Sequence, residues 1–421
     1  MKSFTTCVFK PQPLPPPLLS RLLPKMILLP IFKVGDMDYT VYDLEDGQVK
    51  SQHTPRDGVY SDEMPPDGAR LVGSSHGWVA SFDESSSHVF LSNPISGRHI
   101  KLPPINTLRD PYIDSFKNAP PPTIKILAPS RVILSCSPDD EEDQCRAMMA
   151  FGPGGRLAFC VPGVSTEWTP LGYNHFSEDL CLKEVRPHED IVYCSRRKVF
   201  ASITSCKFKL NTFFYDHDQK NDLCDFQHIG FPHSHMLYWD IENPNFEFLP
   251  SEYERIIIPN QMDDERIIYC VDHDVSKLWE GEHLEMLRRE CIQMPHLVSA
   301  DQLSDQPLVV LRFVNRERGY TTVCFLVLKI DEANDFCFLV VEDLKGLAIF
   351  VGMNHSFAVP ATGVLKPNSI YFTDGGRMTP RDAHASKLDC GIFDYDKKII
   401  FSYYNVASFN PPMLWLTPSP I

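Results

Sequence analysis

"VFLSNPISGRHIKLPP", residues 89–104, contains two short apolar runs separated by a polar segment. The first run ends before Asn93-Pro94, and Gly97 stands near the end of the polar segment. Asparagine, proline and glycine adopt the backbone angles that tight turns require. The stretch is therefore predicted to form a β-hairpin, and one hairpin alone cannot bury both of its faces.

Related hairpins recur along the chain, each with two runs of about five residues around a turn. They are "TVYDLEDGQVK" from Thr40, "MAFGPGGRLAFCVPG" from Met149, "MLYWDIENPNFEFLP" over residues 236–250, "CFLVLKIDEANDFCFLVVEDL" from Cys324 and "GIFDYDKKIIFSYY" from Gly391. Several such hairpins must stack, as a sandwich or radially, to cover their apolar faces. The pattern predicts an all-β protein.

The spacing of the hairpins favours a single β-propeller of about six irregular blades with few short helices. The hairpins are about 50 to 90 residues apart, whereas a four-stranded blade needs about 40 to 50. Insertions account for the difference, and we expect one over the polar residues 206–236. Helical patterns are confined to residues 278–292 and 383–388. Closure of the ring should bring Tyr39–Val49 near the C-terminal strands, because pairing both chain ends removes exposed edges.

Composition excludes several classes of function. The formal net charge of −15 and the absence of a basic patch predict no nucleic-acid binding and disfavour an anionic membrane surface. The 13 scattered cysteines, without any C-x-x-C, indicate a reducing compartment, either cytoplasm or nucleus. No apolar stretch reaches the length of a transmembrane helix. Residues 1–35 lack Asp and Glu, so organelle targeting stays an alternative, although the prolines there disfavour the required helix.

The segment Gly73-Ser74-Ser75-His76-Gly77 fits the G-x-S-x-G pattern of a hydrolase nucleophile elbow. An elbow needs a helix directly after the serine, but the following residues predict a strand, a polar turn and a second strand. We therefore interpret Gly73–Gly77 as a tight turn that opens a hairpin, with Trp78 facing the core and Ser75 structural. A serine hydrolase at Ser75 is the alternative from a different class of function.

No other pattern indicates chemistry. The clusters Asp216-His217-Asp218, His233/His235 and Asp272-His273-Asp274 lack the convergent set of ligands that a metal requires. The glycine-rich turn at Gly152 leads into a strand rather than a phosphate-binding helix. Carboxylate pairs such as Asp263-Asp264 and Asp331-Glu332 have no surrounding glycosidase pattern. The sequence thus predicts no catalytic, no cofactor-binding and no metal-binding residues, and no cofactor.

Three further groups are interpreted as structural. His76 and His355 each follow a turn and precede an apolar strand, so we expect them to bond backbone groups. The five tryptophans are predicted to pack in the core; they are Trp78, Trp168, Trp239, Trp279 and Trp415. The acidic run Asp139–Asp143 is predicted to be a solvated loop.

Six segments together carry a resemblance to a known family. They are "GSSHGW" at 73–78, "LSNPISGRHIKLPPI" at 91–105, "FGPGGRLAF" at 151–159, "GMNHSFAV" at 352–359, "LKPNSIYFTD" at 365–374 and "PPMLWLTP" at 411–418. In order and rough spacing they resemble the plant KIB-type β-propeller proteins, many of which are described as F-box or kelch-like proteins of the domain-of-unknown-function 295 type. The resemblance covers residues 26–418 and implies a propeller that recognises another protein.

In many members of that family, an N-terminal F-box of about 40 to 50 helical residues binds a Skp-type adaptor of a cullin ubiquitin ligase. Here only 25 residues precede Met26, and prolines interrupt them. The segment "LPPPLLSRLLPK", residues 14–25, resembles the start of an F-box without the helices that should follow. We therefore expect residues 1–25 to be a disordered proline-rich segment or an F-box remnant, and residues 26–418 to form the propeller.

These observations predict a non-enzymatic propeller that binds a protein partner of unknown identity. Two versions of this function stay open. In the first, the chain is a substrate receptor of a Skp-cullin-F-box ubiquitin ligase and also binds the Skp-type adaptor. In the second, it is an interaction protein without a link to a ligase, because the F-box is lost.

Overall fold

The structure of the chain is a computed structural model. It describes residues 25–28, 38–45, 48–53, 65–66, 68–94, 96–108, 128–140, 144–152, 156–170, 188–196, 199–204, 210–214, 291–300, 302–304, 307–315, 321–331, 337–373, 389–402 and 413–416. The predicted helices at 278–292 and 383–388, and the predicted hairpin at 236–250, lie outside these residues.

Strands make up almost all of the regular structure. In the first half of the chain they are β1 (Lys25–Leu28), β2 (Asp38–Asp43), β3 (Gln48–His53), β4 (Arg70–Ser75), β5 (Trp78–Asp83), β6 (His88–Ser92), β7 (His99–Pro104), β8 (Pro129–Leu134), β9 (Ala147–Phe151), β10 (Arg156–Cys160), β11 (Thr169–Pro170), β12 (His188–Cys194), β13 (Val199–Thr204) and β14 (Leu210–Phe214). The only helix within the described ranges is a 3₁₀ turn, Ile105–Thr107.

The described residues in the second half of the chain form ten further strands. They are β15 (Cys291–Val298), β16 (Leu308–Asn315), β17 (Thr321–Asp331), β18 (Cys337–Val340), β19 (Leu347–Val351), β20 (Phe357–Pro360), β21 (Ser369–Phe372), β22 (Gly391–Asp394), β23 (Ile399–Ser402) and β24 (Met413–Leu416). The predicted hairpins that begin at Thr40, Met149, Cys324 and Gly391 are confirmed as the pairs β2–β3, β9–β10, β17–β18 and β22–β23.

The hairpin at residues 89–104 forms as the sequence predicts, from β6 and β7. The Asn93 amide donates to the Arg98 carbonyl at 2.9 Å, and the Gly97 amide donates to the Asn93 carbonyl at 2.9 Å. Gly97 has φ +73°, a conformation that glycine adopts without steric cost. The Asn93 side chain also accepts from the Ser96 amide at 3.1 Å. Local turn chemistry therefore explains this element without help from the rest of the fold.

The strands form a β-propeller, which confirms the predicted all-β class. Four sheets have four strands each, in the orders β24-β1-β2-β3, β4-β5-β6-β7, β11-β10-β9-β8 and β15-β16-β17-β18. The structure thus shows four regular blades, fewer than the expected six. The two other sheets depart from the blade pattern. Within the described part of the chain one has three strands, β12-β13-β14, and the other has five, in the order β20-β19-β21-β22-β23. In the five-stranded sheet β19 runs parallel to β21, which a simple up-and-down blade would not contain.

The chain closes by pairing strands from its two ends. Strand β24 pairs antiparallel with β1, which pairs with β2, and β2 with β3. The prediction that residues 39–49 lie near the C-terminal strands is therefore confirmed. Closure of this kind satisfies the backbone groups that an edge strand would leave exposed.

The innermost strands of neighbouring sheets lie beside one another. Strand β4 neighbours β8, β8 neighbours β12, β12 neighbours β15, and β24 neighbours β4. Apolar side chains fill the space between adjacent sheets; Phe325, for example, packs against Phe372 and Phe393 with ring centroids 5.2 and 5.4 Å away. These inner strands converge on the central region, and their buried polar side chains meet there.

Candidate functional site

Charged and polar side chains occupy the middle of the propeller, where apolar packing would be expected. Arg131, in the otherwise apolar strand "PSRVIL" of β8, is buried, and so is Asp190 in β12. An isolated buried charge is costly, so such groups need a partner. We define the central network as Arg131, Asp190 and the groups that bond to them.

Arg131 and Asp190 form a buried ion pair between β8 and β12. The other oxygen of Asp190, Oδ2, accepts the Leu297 amide of β15 at 2.9 Å. One carboxylate therefore connects three neighbouring sheets. His296, buried beside Leu297, places Nδ1 3.7 Å from the same oxygen.

Arg131 also reaches a fourth sheet. Its Nη2 donates to the Gly352 carbonyl at 2.7 Å, and its Nη1 donates to the Asn354 carbonyl at 3.1 Å. Both carbonyls lie in the segment after β19, where the chain turns toward β20. A Cβ on residue 352 would overlap Oγ1 of Thr373, so only glycine lets the backbone approach this closely.

Two histidines lie beside the central network. His355 is buried; its Nε2 accepts the Tyr193 amide of β12 at 3.0 Å, and its own amide donates to the Ser74 carbonyl at 2.7 Å. The prediction that His355 bonds backbone groups is confirmed. The His76 ring lies 5.5 Å from the His355 ring, centroid to centroid. Burial lowers the pKa of His76 to about 4 and that of His355 to about 3.

These shifts limit what the histidines can do chemically. A general acid or base works best when its pKa lies near the working pH. At neutral pH both rings stay uncharged, because a protonated ring inside the protein would lack the hydration that stabilises its charge in water. The proximity of the two rings lowers the His355 pKa further, since two positive charges would repel. The arrangement favours fixed hydrogen bonding over proton transfer.

Ser75 lies in strand β4 and is buried, with 4% of its surface exposed. Its Oγ accepts the Leu134 amide of β8 at 2.8 Å. The next residues, His76 and Gly77, have φ +50° and +80° and form the tight turn into β5, where Ser75 pairs with Trp78. The predicted hairpin is confirmed, and a strand follows the serine where an elbow requires a helix.

Ser74, the neighbour of Ser75, links the first blade to the chain end. Its Oγ donates to the Trp415 carbonyl of β24 at 2.7 Å, across 341 positions of sequence. The two serines of the G-x-S-x-G pattern therefore join β4 to the sheets on either side of it. At Gly73 a Cβ would overlap the Val132 carbonyl of β8, so this glycine permits close contact between the same two sheets.

A second buried arginine joins the β15–β18 sheet to the five-stranded sheet. Arg312 of β16 donates through Nε to Thr322 Oγ1 at 2.7 Å and forms an ion pair with Asp389 at 2.9 Å. Its Nη1 donates to the Thr373 carbonyl at 3.1 Å, and its guanidinium lies 5.1 Å from the Phe372 ring centroid. Together with the central network, this contact shows that buried arginines connect sheets.

The sequence reasoning missed Arg131, Asp190 and Arg312. A signal was present for the two arginines, because each interrupts an apolar strand, "PSRVIL" or "LVVLRFVN". Asp190 gave no such signal, since it follows His188 and Glu189 in "HEDIVYC". Charged residues are almost never fully buried unless they are paired. The sequence cannot show which partners they find, since Arg131 and Asp190 are 59 positions apart.

The remaining predicted groups are placed as follows. Trp78, Trp168 and Trp415 are each 1% exposed, which confirms core packing, while Trp239 and Trp279 lie outside the described residues. Asp139 and Asp140 of the acidic run are exposed, and residues 141–143 are not described. Of the carboxylate pairs, Asp331 ends β17; Glu332 and Asp263-Asp264 lie outside the described ranges, as do the candidate histidine clusters at 216–218, 233–235 and 272–274.

Within the described ranges, no group of three or more His, Cys, Asp or Glu side chains is arranged to hold a metal ion. The same ranges contain no helix that is both long and apolar enough to span a membrane.

Comparison with known families agrees with the β-propeller fold of the chain. The KIB1-4 beta-propeller family matches residues 41–394. The chain belongs to the KIB1-4 beta-propeller family. The match begins in β2 and ends in β22, so it includes every residue of the central network.

A curated relative connects this KIB1-4 propeller with F-box proteins. A protein of Arabidopsis thaliana that is named as an F-box protein is 32% identical to it over 84 residues. The aligned segment covers 19% of this chain and 23% of the relative, so the chain spans about a quarter of that relative's length.

The serine hydrolase alternative leads to a direct test. Replacing Ser75 by alanine should lower the free energy of unfolding by about 1–3 kcal/mol, because the buried Leu134 amide loses its acceptor. Chemical denaturation measures this change, and Thr166→Ala, at an exposed position, should change the free energy of unfolding by less than about 0.5 kcal/mol. Neither the parent chain nor the variant should react with a fluorophosphonate probe. Labelling of the parent that Ser75→Ala abolishes would restore the nucleophile interpretation.

Proposed function

We propose that this KIB1-4 propeller is a non-enzymatic protein-interaction module. Membership of the family is the observation that carries the proposal. The central network supports it, because the buried charges are engaged between sheets and the buried histidines stay neutral at physiological pH. Recognition then falls to loops and turns at the ends of the strands, which a rigid ring of sheets holds in place.

We further propose that the chain acts as the substrate receptor of a Skp-cullin-F-box ubiquitin ligase. The similarity to a relative named as an F-box protein supports this role. In such an assembly the propeller would bind the substrate, and the N-terminal segment would contact the Skp-type adaptor.

A second candidate is an interaction protein without a ligase link. The prolines that interrupt residues 1–25 favour it, because they oppose the helices through which an F-box binds its adaptor. The two candidates share the propeller and differ only in what the N-terminal segment binds.

The proposed organisation follows from the same argument. We propose that residues 1–25 form a proline-rich segment or F-box remnant, that residues 26–418 form the propeller, and that residues 206–236 are an insertion, although β14 lies within that range. We propose that the three-stranded and five-stranded sheets are irregular blades, which makes six in all. We expect a cytoplasmic or nuclear location, with organelle targeting as the alternative.

Affinity purification distinguishes the two candidates. The tagged full chain is expressed in Arabidopsis thaliana cells beside a variant that lacks residues 1–24, a deletion that leaves β1 intact. A ligase receptor should recover Skp-type adaptor and cullin peptides with the full chain, and the truncation should lose them. Proteins bound by the propeller should be recovered with both.

Matching thermal unfolding of the two chains is the control for a folded propeller. Adaptor and cullin missing from both samples, with the same other proteins in each, would reject the ligase role and favour the second candidate. Recovery of no specific protein with either folded chain would contradict the interaction module itself.

A further inference from the structure

Cys136 and Cys145 flank the loop between β8 and β9. The ladder pairs Leu134 with Ala147, and the Ser135 amide then donates to the Arg146 carbonyl at 2.9 Å. One more step in the same register places Cys136 directly opposite Cys145. The Cys145 Sγ donates to the Cys136 carbonyl at 3.1 Å, so the two residues are in contact.

The type of pairing at this point suits a covalent link. The Arg146 amide in turn donates to Ser135 Oγ at 2.9 Å, so the two chain segments stay side by side as far as the cysteines. Facing residues of neighbouring antiparallel segments have Cα atoms about 4.5–5.5 Å apart. Disulfides require Cα separations of about 4.4–6.8 Å. The hydrogen bond with the Cys136 side chain, followed by burial, raises the pKa of Cys145. The contact between the Cys145 thiol and the Cys136 carbonyl, at 3.1 Å, brings the two residues close to each other.

We propose that Cys136 and Cys145 form a reversible cross-strand disulfide, a modification site at the base of the β8–β9 loop. The inference concerns covalent chemistry of the chain itself and goes beyond the proposed role in protein binding. The structure holds both residues as thiols, which is the reduced state of this site.

The reaction needs a two-electron oxidant, and a small-molecule disulfide such as oxidised glutathione supplies it. Cys136 is the more exposed of the two thiols and attacks first. Its thiolate displaces one glutathione and leaves a mixed disulfide on Cys136. Cys145 then attacks the Cys136 sulfur, the Cys136–Cys145 bond forms, and the second glutathione leaves. Two electrons pass to the oxidant, and the two cysteine protons end on the two glutathione molecules at a pH below the glutathione pKa.

Another pair of cysteines provides a matched comparison. Cys291 and Cys324 lie on β15 and β17, which both pair with β16, so a whole strand separates them. Strands in a sheet are about 4.8 Å apart, which puts these two residues about 10 Å from each other, beyond the reach of a disulfide.

The bond would change the surface of the propeller. The loop carries the exposed Asp139 and Asp140, and Asp139 forms an ion pair with Arg98 of the β6–β7 turn. A bond between the two ends of this loop would restrict the positions of Asp139 and Asp140 on the surface. Oxidation therefore acts on a surface loop, far along the chain from the residues that close the ring.

Peptide mapping of the full chain tests the proposal. The folded protein is equilibrated with mixtures of reduced and oxidised glutathione, alkylated, unfolded and digested with trypsin. Cleavage after Arg131 and Arg146 releases one peptide that contains both cysteines. In the oxidised sample this peptide should carry no alkyl group and should weigh two hydrogen atoms less than the unalkylated reduced peptide. A reductant added before alkylation should restore both alkyl groups. Peptides with Cys291 and Cys324 should show no link.

Two variants make the assignment specific. Cys136→Ser should abolish the link, whereas Cys160→Ser, which removes the other thiol near Cys145, should leave it unchanged. Three outcomes would overturn the proposal: a Cys145–Cys160 link, a stable glutathione adduct on Cys136 that never closes, or full alkylation of both cysteines at every ratio. Each is read from the parent chain, so the conclusion does not depend on the folding of a variant.

Discussion

Replacing Arg131 by methionine is expected to lower the free energy of unfolding by about 3–5 kcal/mol, because it leaves the Asp190 carboxylate buried without its partner. Asp190 is completely buried, so water cannot take over the role of the guanidinium. The change also removes donors from the Gly352 and Asn354 carbonyls. Chemical denaturation of the two chains measures the difference.

The exposed pair between Arg98 and Asp139 is the matched control. Their side chains are 54% and 37% exposed, and such pairs contribute about 0–1 kcal/mol. Arg98→Met should therefore lower the free energy of unfolding by about 1 kcal/mol or less. If the two methionine variants were equally stable, the central network would not hold the sheets together as proposed.

Lowering the pH from 7.5 to 5 is expected to remove about 4 kcal/mol of stability, about 2 kcal/mol from each of His76 and His355. Both histidines have an ordinary pKa of 6.5, and burial lowers it to about 4 and about 3 in the folded protein. Below pH 6.5 the unfolded chain therefore binds more protons than the folded one. The contribution is fully present above pH 6.5 and decreases as the pH falls toward the folded pKa values.

The dependence of stability on pH can be assigned with two variants. His355→Gln keeps an acceptor near the Tyr193 amide but cannot titrate, so it should remove about half of the pH dependence between 7.5 and 5. His88→Gln replaces a histidine that is only partly buried, and the dependence should stay almost as in the parent. Equal slopes for all three proteins would show that the two central histidines are not the source.

The parts of the fold that depend on local chemistry were predictable from the sequence. The turn at residues 93–98 is fixed by Asn93 and Gly97 within a few positions, and the same holds for His76-Gly77 before β5. Trp78 was correctly placed in the core because it begins a short aromatic strand. Closure of the ring was predictable from a general property of propellers, the need to avoid exposed edges.

The irregular blades were not predictable, because they depend on contacts between distant strands. Nothing in the sequence of β19 shows that it pairs in parallel with β21 and antiparallel with β20. The central network was not predictable either, because it too depends on contacts between distant strands. Arg131 is recognisable as a charge in an apolar strand, but its partners come from two other sheets. The G-x-S-x-G segment is the opposite case. Its sequence matches a catalytic pattern, but in the folded chain its two serines bond to the neighbouring sheets.

The pairing of β24 with β1 has a consequence for synthesis of the protein in the cell. Strand β24 leaves the ribosome long after β4, so Ser74 can bond to the Trp415 carbonyl only late in synthesis. Until then the side of the β4–β7 sheet that will contact β24 is exposed, and the nascent ring is open. Incomplete propellers with exposed strand edges are species that associate with one another. A premature stop codon before residue 413 would therefore yield an aggregating fragment rather than a smaller folded protein.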